Sequence, residues 1–313
     1  MYLHVSVRLA RPTTFYYDQF SSDKMQLSKT YAANGATISF ELFPPKTEAG
    51  EKSLMKHVAK LNEFNPAYFT CTYGAGGSTQ SKTLNIISQV KESHGIPVAS
   101  HLTCVGSTVD DLRSYLTEAK ERGVDYIVAL RGDPPQGETE FVAAEGGLRY
   151  ANELVELIRN EFSDFGIAVA GYPEVHQEAP SADVDLENLK RKVDCGSDIV
   201  ITQLFYDNED FFRFRDRCVA ANINVPIIPG LLPVTNLGQI QRITSLCGAK
   251  LPQDFIERLG QKDDAEWQME TGVAQATEQV RGLIEGGVDG LHFYVLNKSQ
   301  ATSRVLGNLM TKS

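Results

Sequence analysis

Residues 37–46 read TISFELFPPK, a short apolar run that carries one acidic residue, Glu41, just before two prolines. The β-branched and aromatic residues, with Ile38 and Phe40 alternating, predict a strand with a buried face, and the prolines predict its end. A lone acid at a strand end usually points into solvent. The stretch therefore predicts a strand at 37–41 and leaves the role of Glu41 open.

The same pattern recurs along the chain, where short β-branched or aromatic runs alternate with longer amphipathic stretches. About eight such strand–helix units, with no break in composition, favour a single α/β fold, a (β/α)8 TIM barrel with extra helices. An open doubly wound sheet is the alternative, but the chain lacks the G-x-G-x-x-G stretch expected after its first strand. The predicted strands are 37–41, 67–72, 97–102, 126–130, 167–172, 199–203, 226–230 and 290–294.

The amphipathic stretches between these strands predict helices, several of which have start and stop signals. Thr108 with Asp111 three residues later is typical of a capped helix N-terminus, and Gly123 and Gly196 are typical of helix ends. The predicted helices are 50–64, 79–94, 108–122, 150–161, 185–195, 208–221, 236–247, 264–286 and 299–309.

The predicted domain organisation is one catalytic barrel domain at 34–313, preceded by an N-terminal extension at 1–33 that could be flexible. The first residues, 1–17, are basic and lack acids, but they have no clear apolar core or small-residue cleavage site, so a targeting peptide is not favoured. A translation start at Met25 is an open alternative.

Composition narrows the function classes. The net charge of −10 argues against a general nucleic-acid binder, so any anionic ligand must meet a local cluster of cations. The five cysteines are scattered and form no C-x-x-C pair, which argues against a disulfide framework or a zinc site and favours a cytoplasmic location. No apolar run approaches the roughly 18 residues of a membrane span.

Polar residues follow nearly every predicted strand. In a barrel of this type the carboxyl ends of the strands form the face where the chemistry gathers. The opposite strand ends offer Ala67, Pro97, Ile167 and Pro226 instead. This contrast favours a functional role for Glu41. The carboxyl ends of the predicted strands carry Glu41, Thr72, Tyr73, His101, Arg131, Gly132, Asp133, Tyr172, Gln203, Gly230 and Tyr294.

These strand ends exclude some chemistries and leave others open. No predicted strand closes on a lysine, which argues against a Schiff-base aldolase. His101, His176 and His292 lack the spacing of metal ligands, so no metal site is predicted. The glycine-rich stretch 73–83 could bind a phosphate at a helix N-terminus or form an ordinary tight turn.

A basic run on the predicted helix 185–195 has two interpretations. Asn188, Arg191 and Lys192 fall at helical spacing, with Asn188 one turn from the two cations. Such a run is usually a solvated helix face. In an acidic protein, a cofactor that carries a diphosphate is a competing interpretation.

Ten blocks, in order along about 37–298, resemble the bacterial methylenetetrahydrofolate reductase family. Together they cover almost the whole chain, which makes the resemblance highly specific. The blocks read SFELFPP, TYGAGG, HLTC, ALRGDPP, GYPEVHQEA, NLKRKVDCG, ITQLFYD, FRDRC, IIPGLLPV and HFYVLNK.

The resemblance implies a (β/α)8 barrel that holds FAD. NADH or NADPH would reduce the flavin and leave, and 5,10-methylenetetrahydrofolate would then take the hydride and become 5-methyltetrahydrofolate, which supplies methyl groups for methionine synthesis. The implied partners are these small molecules, with no nucleic acid or membrane, and a homo-oligomer is open. The alternative is a flavin-free folate-dependent methyltransferase on the same barrel. A non-catalytic binding protein is a third reading, which the joint presence of Glu41, Asp133 and Gln203 disfavours.

The resemblance also implies site residues. Glu41 matches the general acid that protonates the folate, and desolvation at the end of an apolar strand is expected to raise its pKa. Asp133 matches a catalytic residue beside the flavin and the pterin. Gln203, Gln239, Lys298, Asp133 and Thr72 match substrate-binding positions. The positions matched to FAD binding are Thr72, Tyr73, Ala75, His101, Arg131, Gly132, Asp133, Ala151, Tyr172, His176, Ala179, Asp185, Asn188, Arg191 and Lys192.

Two residues depart from the family pattern. Ile243 stands where bacterial members often have an aromatic residue that packs against nicotinamide. Lys298 stands where an arginine is familiar, and it offers a point charge instead of a bidentate fork for a carboxylate. We therefore expect Ile243 to alter the binding of the nicotinamide nucleotide and Lys298 to alter the binding of the folate.

Overall fold

The strands of the computed structural model, which describes residues 27–31, 35–72, 80–134, 137 and 141–310, agree with all eight predicted strands. The seventh is split into two short pieces on either side of Pro229. The strands are β1 (Thr37–Leu42), β2 (Tyr68–Cys71), β3 (Val98–Thr103), β4 (Tyr126–Leu130), β5 (Gly166–Gly171), β6 (Ile199–Thr202), β7 (Ile227–Ile228), β8 (Gly230–Leu231) and β9 (Gly290–Tyr294).

All strand pairs are parallel, in the order β7-β6-β5-β4-β3-β2-β1-β9-β8. Proline has no backbone N–H and so interrupts the ladder at Pro229. Because β7 pairs with β6 and β8 pairs with β9, the two pieces act as one barrel strand and close the sheet. The predicted (β/α)8 barrel is confirmed.

The helices alternate with the strands, with three between β8 and β9. The pattern missed one of these, α8, which begins after Pro252. Thr108 and Asp111 form the predicted capping box of α3. The helices are α1 (Glu48–Asn62), α2 (Gln80–His94), α3 (Val109–Glu121), α4 (Ala151–Glu161), α5 (Ala182–Asp194), α6 (Asn208–Ala220), α7 (Leu237–Cys247), α8 (Gln253–Gly260), α9 (Ala265–Glu285) and α10 (Gln300–Met310).

The alternation of β1 divides its side chains between two environments. Ile38, Phe40 and Leu42 pack into the large apolar layer between the sheet and the surrounding helices. Successive strand side chains point to opposite faces, so Ser39 and Glu41 point into the barrel. The alternation in β1 therefore packs one set of side chains against the helices and places Glu41 at the carboxyl end of the barrel interior.

A 3-10 helix at Leu27–Tyr31 closes the amino end of the barrel. Leu27 and Tyr31 are 1% and 3% exposed and belong to the apolar cluster of the barrel interior. A Cβ at Gly290, the first residue of β9, would lie 2.4 Å from the Tyr31 ring, so glycine permits this close approach. These residues lie inside the predicted N-terminal extension.

Within the part of the chain that the structure describes, no helix has the length and apolar character needed to cross a membrane.

Candidate active site

Glu41 lies at the carboxyl end of the barrel interior and faces two imidazoles. It is 8% exposed. Its Oε2 lies 3.2 Å from Nε2 of His101 on β3 and 3.6 Å from Nε2 of His292 on β9. Both Nε2 atoms are buried, and neither is aligned for a regular hydrogen bond with another described residue. The contacts with Glu41 are therefore mainly electrostatic.

The pKa of Glu41 differs from the sequence expectation. Burial raises the pKa, as expected, but the charges and hydrogen-bonding capacity of His101 and then His292 outweigh burial and lower it to about 2. The expectation of a raised pKa is wrong for this structure, because strand-end reasoning placed His101 on the same face as Glu41 but did not show that two imidazoles lie within 4 Å of the carboxylate. The carboxyl is therefore ionised at neutral pH.

This pKa predicts a pH dependence of stability. Because the folded-state pKa lies below the ordinary 4.5, the stabilisation is fully present above pH 4.5 and is lost as pH falls towards about 2. Over that range the wild type should lose up to about 3 kcal/mol more unfolding free energy than Glu41→Gln. Urea unfolding at a series of pH values measures the difference. The exposed control Glu63→Gln should follow the wild type, and a parallel course for Glu41→Gln would refute the predicted coupling.

His292 joins the site through Ser39, a link that the sequence analysis did not make. The Ser39 Oγ lies 2.8 Å from His292 Nδ1. The two residues are register partners on β1 and β9, and Glu41 is the register partner of Tyr294. The available signal was the alternation itself, because Ser39 precedes Glu41 by two residues and shares its face. The strand pairing needed to join them is not visible in the sequence.

The loop after β4 carries Arg131, Gly132 and Asp133. Both terminal nitrogens of Arg131 donate to the carboxylate of Glu178, each at 2.6 Å, and its guanidinium lies over the Phe141 ring, 5.1 Å from the centroid. Asp133 is exposed at the barrel mouth. The bidentate pair ties the loop after β4 to the loop after β5.

The other predicted substrate residues are distributed around the mouth. Thr72 directly follows β2 and is half-buried, and Gln203 directly follows β6, where its Oε1 accepts from the Leu204 N–H at 2.8 Å. Gln239, in the first turn of α7, and Lys298, in the loop after β9, are both exposed. They leave polar and cationic groups accessible at this end of the barrel.

The loop after β5 and helix α5 carry much of the predicted cofactor set. The rings of Tyr172 and His176 pack edge-on with their centroids 4.6 Å apart. The backbone N–H of His176 donates to Oδ2 of Asp185 at 3.1 Å. Arg191 is exposed and donates to Asn188 Oδ1. Ala179 lies in the same loop, Ala151 begins α4, and Tyr73 and Ala75 lie outside the described residues.

Lys192 differs from its exposed neighbour. Its Nζ donates to the carbonyl of Ala170, at 2.6 Å, next to the last residue of β5. Burial lowers its pKa to about 8 despite the opposing charge of Asp185, and among the described residues no carboxylate lies within 4 Å of it. A partly buried ammonium that has no carboxylate within 4 Å, in the part of the chain that the structure describes, fits an anionic group such as a diphosphate.

Comparison with known proteins assigns the chain to one enzyme family. The chain matches the family described as methylenetetrahydrofolate reductase over residues 26–310. It is 39% identical over 295 residues to the 5,10-methylenetetrahydrofolate reductase of Escherichia coli K12, covering 94% of this chain and 97% of that protein. It is 38% identical to methylenetetrahydrofolate reductase (NADH) 1 of Arabidopsis thaliana, covering 90% of this chain and 50% of the plant protein.

A solved structure shares the fold at low sequence identity. It is an uncharacterized Clostridium thermocellum protein that binds two copies of 5-methyl-5,6,7,8-tetrahydrofolic acid. The TM-score is 0.59 at 16% identity, covering 88% of this chain and 95% of the other. At that identity the likeness supports the barrel fold alone.

Proposed function

The chain belongs to the methylenetetrahydrofolate reductase family, and from this membership we propose that it reduces 5,10-methylenetetrahydrofolate to 5-methyltetrahydrofolate with NADH or NADPH, in a ping-pong reaction through FAD. The observation that carries the proposal is the 39% identity to the Escherichia coli enzyme over nearly the full length of both chains. The reaction would take place in the cytoplasm and supply methyl groups for methionine synthesis.

FAD, when bound, would pass the reducing equivalents from the nicotinamide to the folate. The chain's own residues would hold it at the carboxyl ends of β2 to β5 and along α5, where the predicted cofactor residues within the described part of the chain lie, apart from Ala151 at the start of α4. Lys192 would neutralise the diphosphate from its partly buried position, with Arg191 at the exposed side of the same helix. His101 would place a buried ring nitrogen beside Glu41, 3.2 Å from its Oε2.

Glu41 would act as the general acid for the folate. Its carboxylate and the imidazoles of His101 and His292 form a cluster in which one proton can be shared, which gives Glu41 a nearby source of the proton that it delivers. A substrate that covers the mouth would remove water and favour the protonated carboxyl. The low pKa of Glu41 without substrate is thus compatible with its acting as an acid once the substrate covers the site.

The remaining polar residues would orient the substrates. Gln203 and Asp133 stand at the ends of β6 and β4, where an amide and a carboxylate can bind the pterin edge. Gln239 lies in the first turn of α7, where its amide can reach the folate. Lys298 offers a charge for the carboxylate of the folate tail, and Thr72 completes the mouth beside β2.

Lys192→Met should weaken FAD binding about 10- to 100-fold, because it removes a charge-assisted contact worth about 1.5–3 kcal/mol. Fluorescence titration of the apoprotein with FAD measures the affinity. Lys190→Met is the matched control, since Lys190 lies on the same helix but pairs with Asp194. Equal affinities for the two variants would contradict the assignment of Lys192.

The proposed reaction is tested by product analysis with the purified protein. After incubation with FAD, NADH or NADPH, and 5,10-methylenetetrahydrofolate, we expect 5-methyltetrahydrofolate in amounts equal to the nucleotide oxidised. Parallel rates with NADH and NADPH identify the donor. Transfer of the one-carbon unit without nucleotide oxidation would overturn the proposal and support a folate-dependent methyltransferase.

A further inference from the structure

Glu178, in the loop after β5, contacts two of the residues expected to bind the cofactor. Its two carboxylate oxygens accept from the terminal nitrogens of Arg131, each at 2.6 Å. Its backbone N–H donates to Nδ1 of His176 at 3.1 Å. Arg131 follows β4 and His176 follows β5, so Glu178 joins the two loops that carry these residues.

The carboxylate of Glu178 is one of three partners that orient the Arg131 guanidinium. The Arg131 Nε–H donates to the carbonyl of Gly132 at 3.2 Å, and the guanidinium lies over the Phe141 ring. A bidentate carboxylate fixes the direction of a planar guanidinium as well as its place. In the described part of the chain these hydrogen bonds use three of the five N–H groups, so each terminal nitrogen keeps one N–H for a ligand.

The backbone N–H of Glu178 determines the tautomer of His176. Burial lowers the pKa of His176, against the opposing charge of Glu178, so the imidazole is neutral at neutral pH. A neutral imidazole that accepts at Nδ1 carries its proton on Nε2. The edge-on contact with Tyr172 and the hydrogen bond from the His176 backbone to Asp185 hold the ring in place. His176 therefore offers an Nε2–H donor from a fixed position.

We propose that Glu178 is a positioning residue that holds Arg131 and His176 in the arrangement that would receive FAD, an inference that rests on the proposed function. A lone carboxylate beside an anionic diphosphate would be unfavourable, but the charge of Arg131 compensates that of Glu178. The pair therefore contributes geometry and little net charge. Lys192, which has no carboxylate within 4 Å among the described residues, would supply the charge for the diphosphate.

The loop after β5 has further contacts that do not involve Glu178. The side-chain amide of Gln177 donates to the carbonyl of Leu246 at 3.0 Å, and the Glu174 carboxylate accepts from the backbone N–H of Lys250 at 3.1 and 3.2 Å. Both contacts hold the loop against the end of α7. Removal of the Glu178 carboxylate should therefore release the loop from Arg131 and leave it on α7, so the variant should fold.

The first measurement is hydrogen exchange in the full chain without FAD. The backbone N–H of Val175 donates to the carbonyl of Tyr172 at 3.2 Å, and that of Ala179 to the carbonyl of His176 at 2.9 Å, so both amides report on the loop. In Glu178→Ala their protection factors should fall about 3- to 10-fold, the modest effect expected when a partly exposed bidentate pair no longer holds the loop.

The matched control is Glu161→Ala. Glu161 ends α4 and accepts from Nε and one terminal nitrogen of Arg113 at 2.8 and 2.7 Å, so this variant loses the same kind of bidentate pair outside the two cofactor loops. The control should keep the wild-type protection factors at Val175 and Ala179. Urea unfolding should show a similar, small loss of stability in both variants, which separates an effect on the loop from an effect on the fold.

The second measurement is the affinity for FAD, from fluorescence titration of the same variants. Glu178→Ala should bind FAD about 3- to 10-fold more weakly than Glu161→Ala, because Arg131 is no longer held in its binding orientation. Glu178→Gln keeps one acceptor for Arg131 and should recover most of the lost affinity.

The two measurements decide the proposal together. Unchanged protection factors in Glu178→Ala, or an FAD affinity equal to that of Glu161→Ala, would overturn it. A wild type that binds no FAD would contradict the proposed function, and the protection factors would still decide whether Glu178 holds the loop.

Discussion

Glu41→Gln should lower folate reduction by about 10²- to 10⁴-fold and leave flavin reduction by NADH or NADPH nearly unchanged. Glutamine keeps the size and burial of the side chain but cannot deliver a proton. Only the folate needs that proton, so the two half-reactions should separate. Rapid-mixing absorbance measurements at the flavin band follow each half-reaction alone.

The matched control for this prediction is Glu63→Gln. Glu63 directly follows helix α1, is exposed and pairs with Lys60, so its loss should leave both half-reactions unchanged. If Glu41→Gln slowed both half-reactions equally, Glu41 would be a structural or flavin-binding residue, and the role of proton donor would be refuted.

Phe40→Ala should lower the free energy of unfolding by about 3–5 kcal/mol. Phe40 is fully buried, and its ring centroid lies 5.5 Å from that of Phe69 and 6.1 Å from that of Phe293. Alanine would leave a cavity among three strands on the helix-facing side of the sheet. Urea unfolding measures the loss, which is a large part of the stability of an ordinary protein.

The matched control is Phe43→Ala, three residues along the chain. Phe43 is 36% exposed, and its backbone N–H and C=O both bond to the side chain of Asn297, which the substitution leaves intact. Its loss should cost about 1 kcal/mol or less. Similar losses for the two variants would contradict the enclosed position of Phe40.

Much of the fold follows from sequence pattern, because every barrel strand is a short apolar run bounded by turn residues. The exceptions have physical causes. Pro229 divides the seventh strand without ending it, since residues on both sides still pair with neighbouring strands. Helix α8 is only eight residues long and begins after a proline, so its pattern resembled a loop.

The candidate site was less accessible to sequence reasoning. The strand ends predicted that Glu41 and His101 would share one face, and the structure places their side chains in contact. The ring of contacts through Ser39 and His292 depends on the register of β1 with β9, strands separated by about 250 residues. Local pattern carries no information about that register. The direction of the Glu41 pKa shift was missed because local pattern does not show how closely His101, the main cause of the lowering, approaches the carboxylate.

The central claim is that this chain passes electrons from a nicotinamide nucleotide to a folate through FAD. Its most direct test is the absorption spectrum of the protein loaded with FAD, followed anaerobically during addition of NADH and then of 5,10-methylenetetrahydrofolate. Flavin bands near about 380 and 450 nm should bleach with NADH and return with the folate. A protein that stays colourless after reconstitution with FAD, or whose reduced flavin the folate leaves unchanged, would contradict the claim.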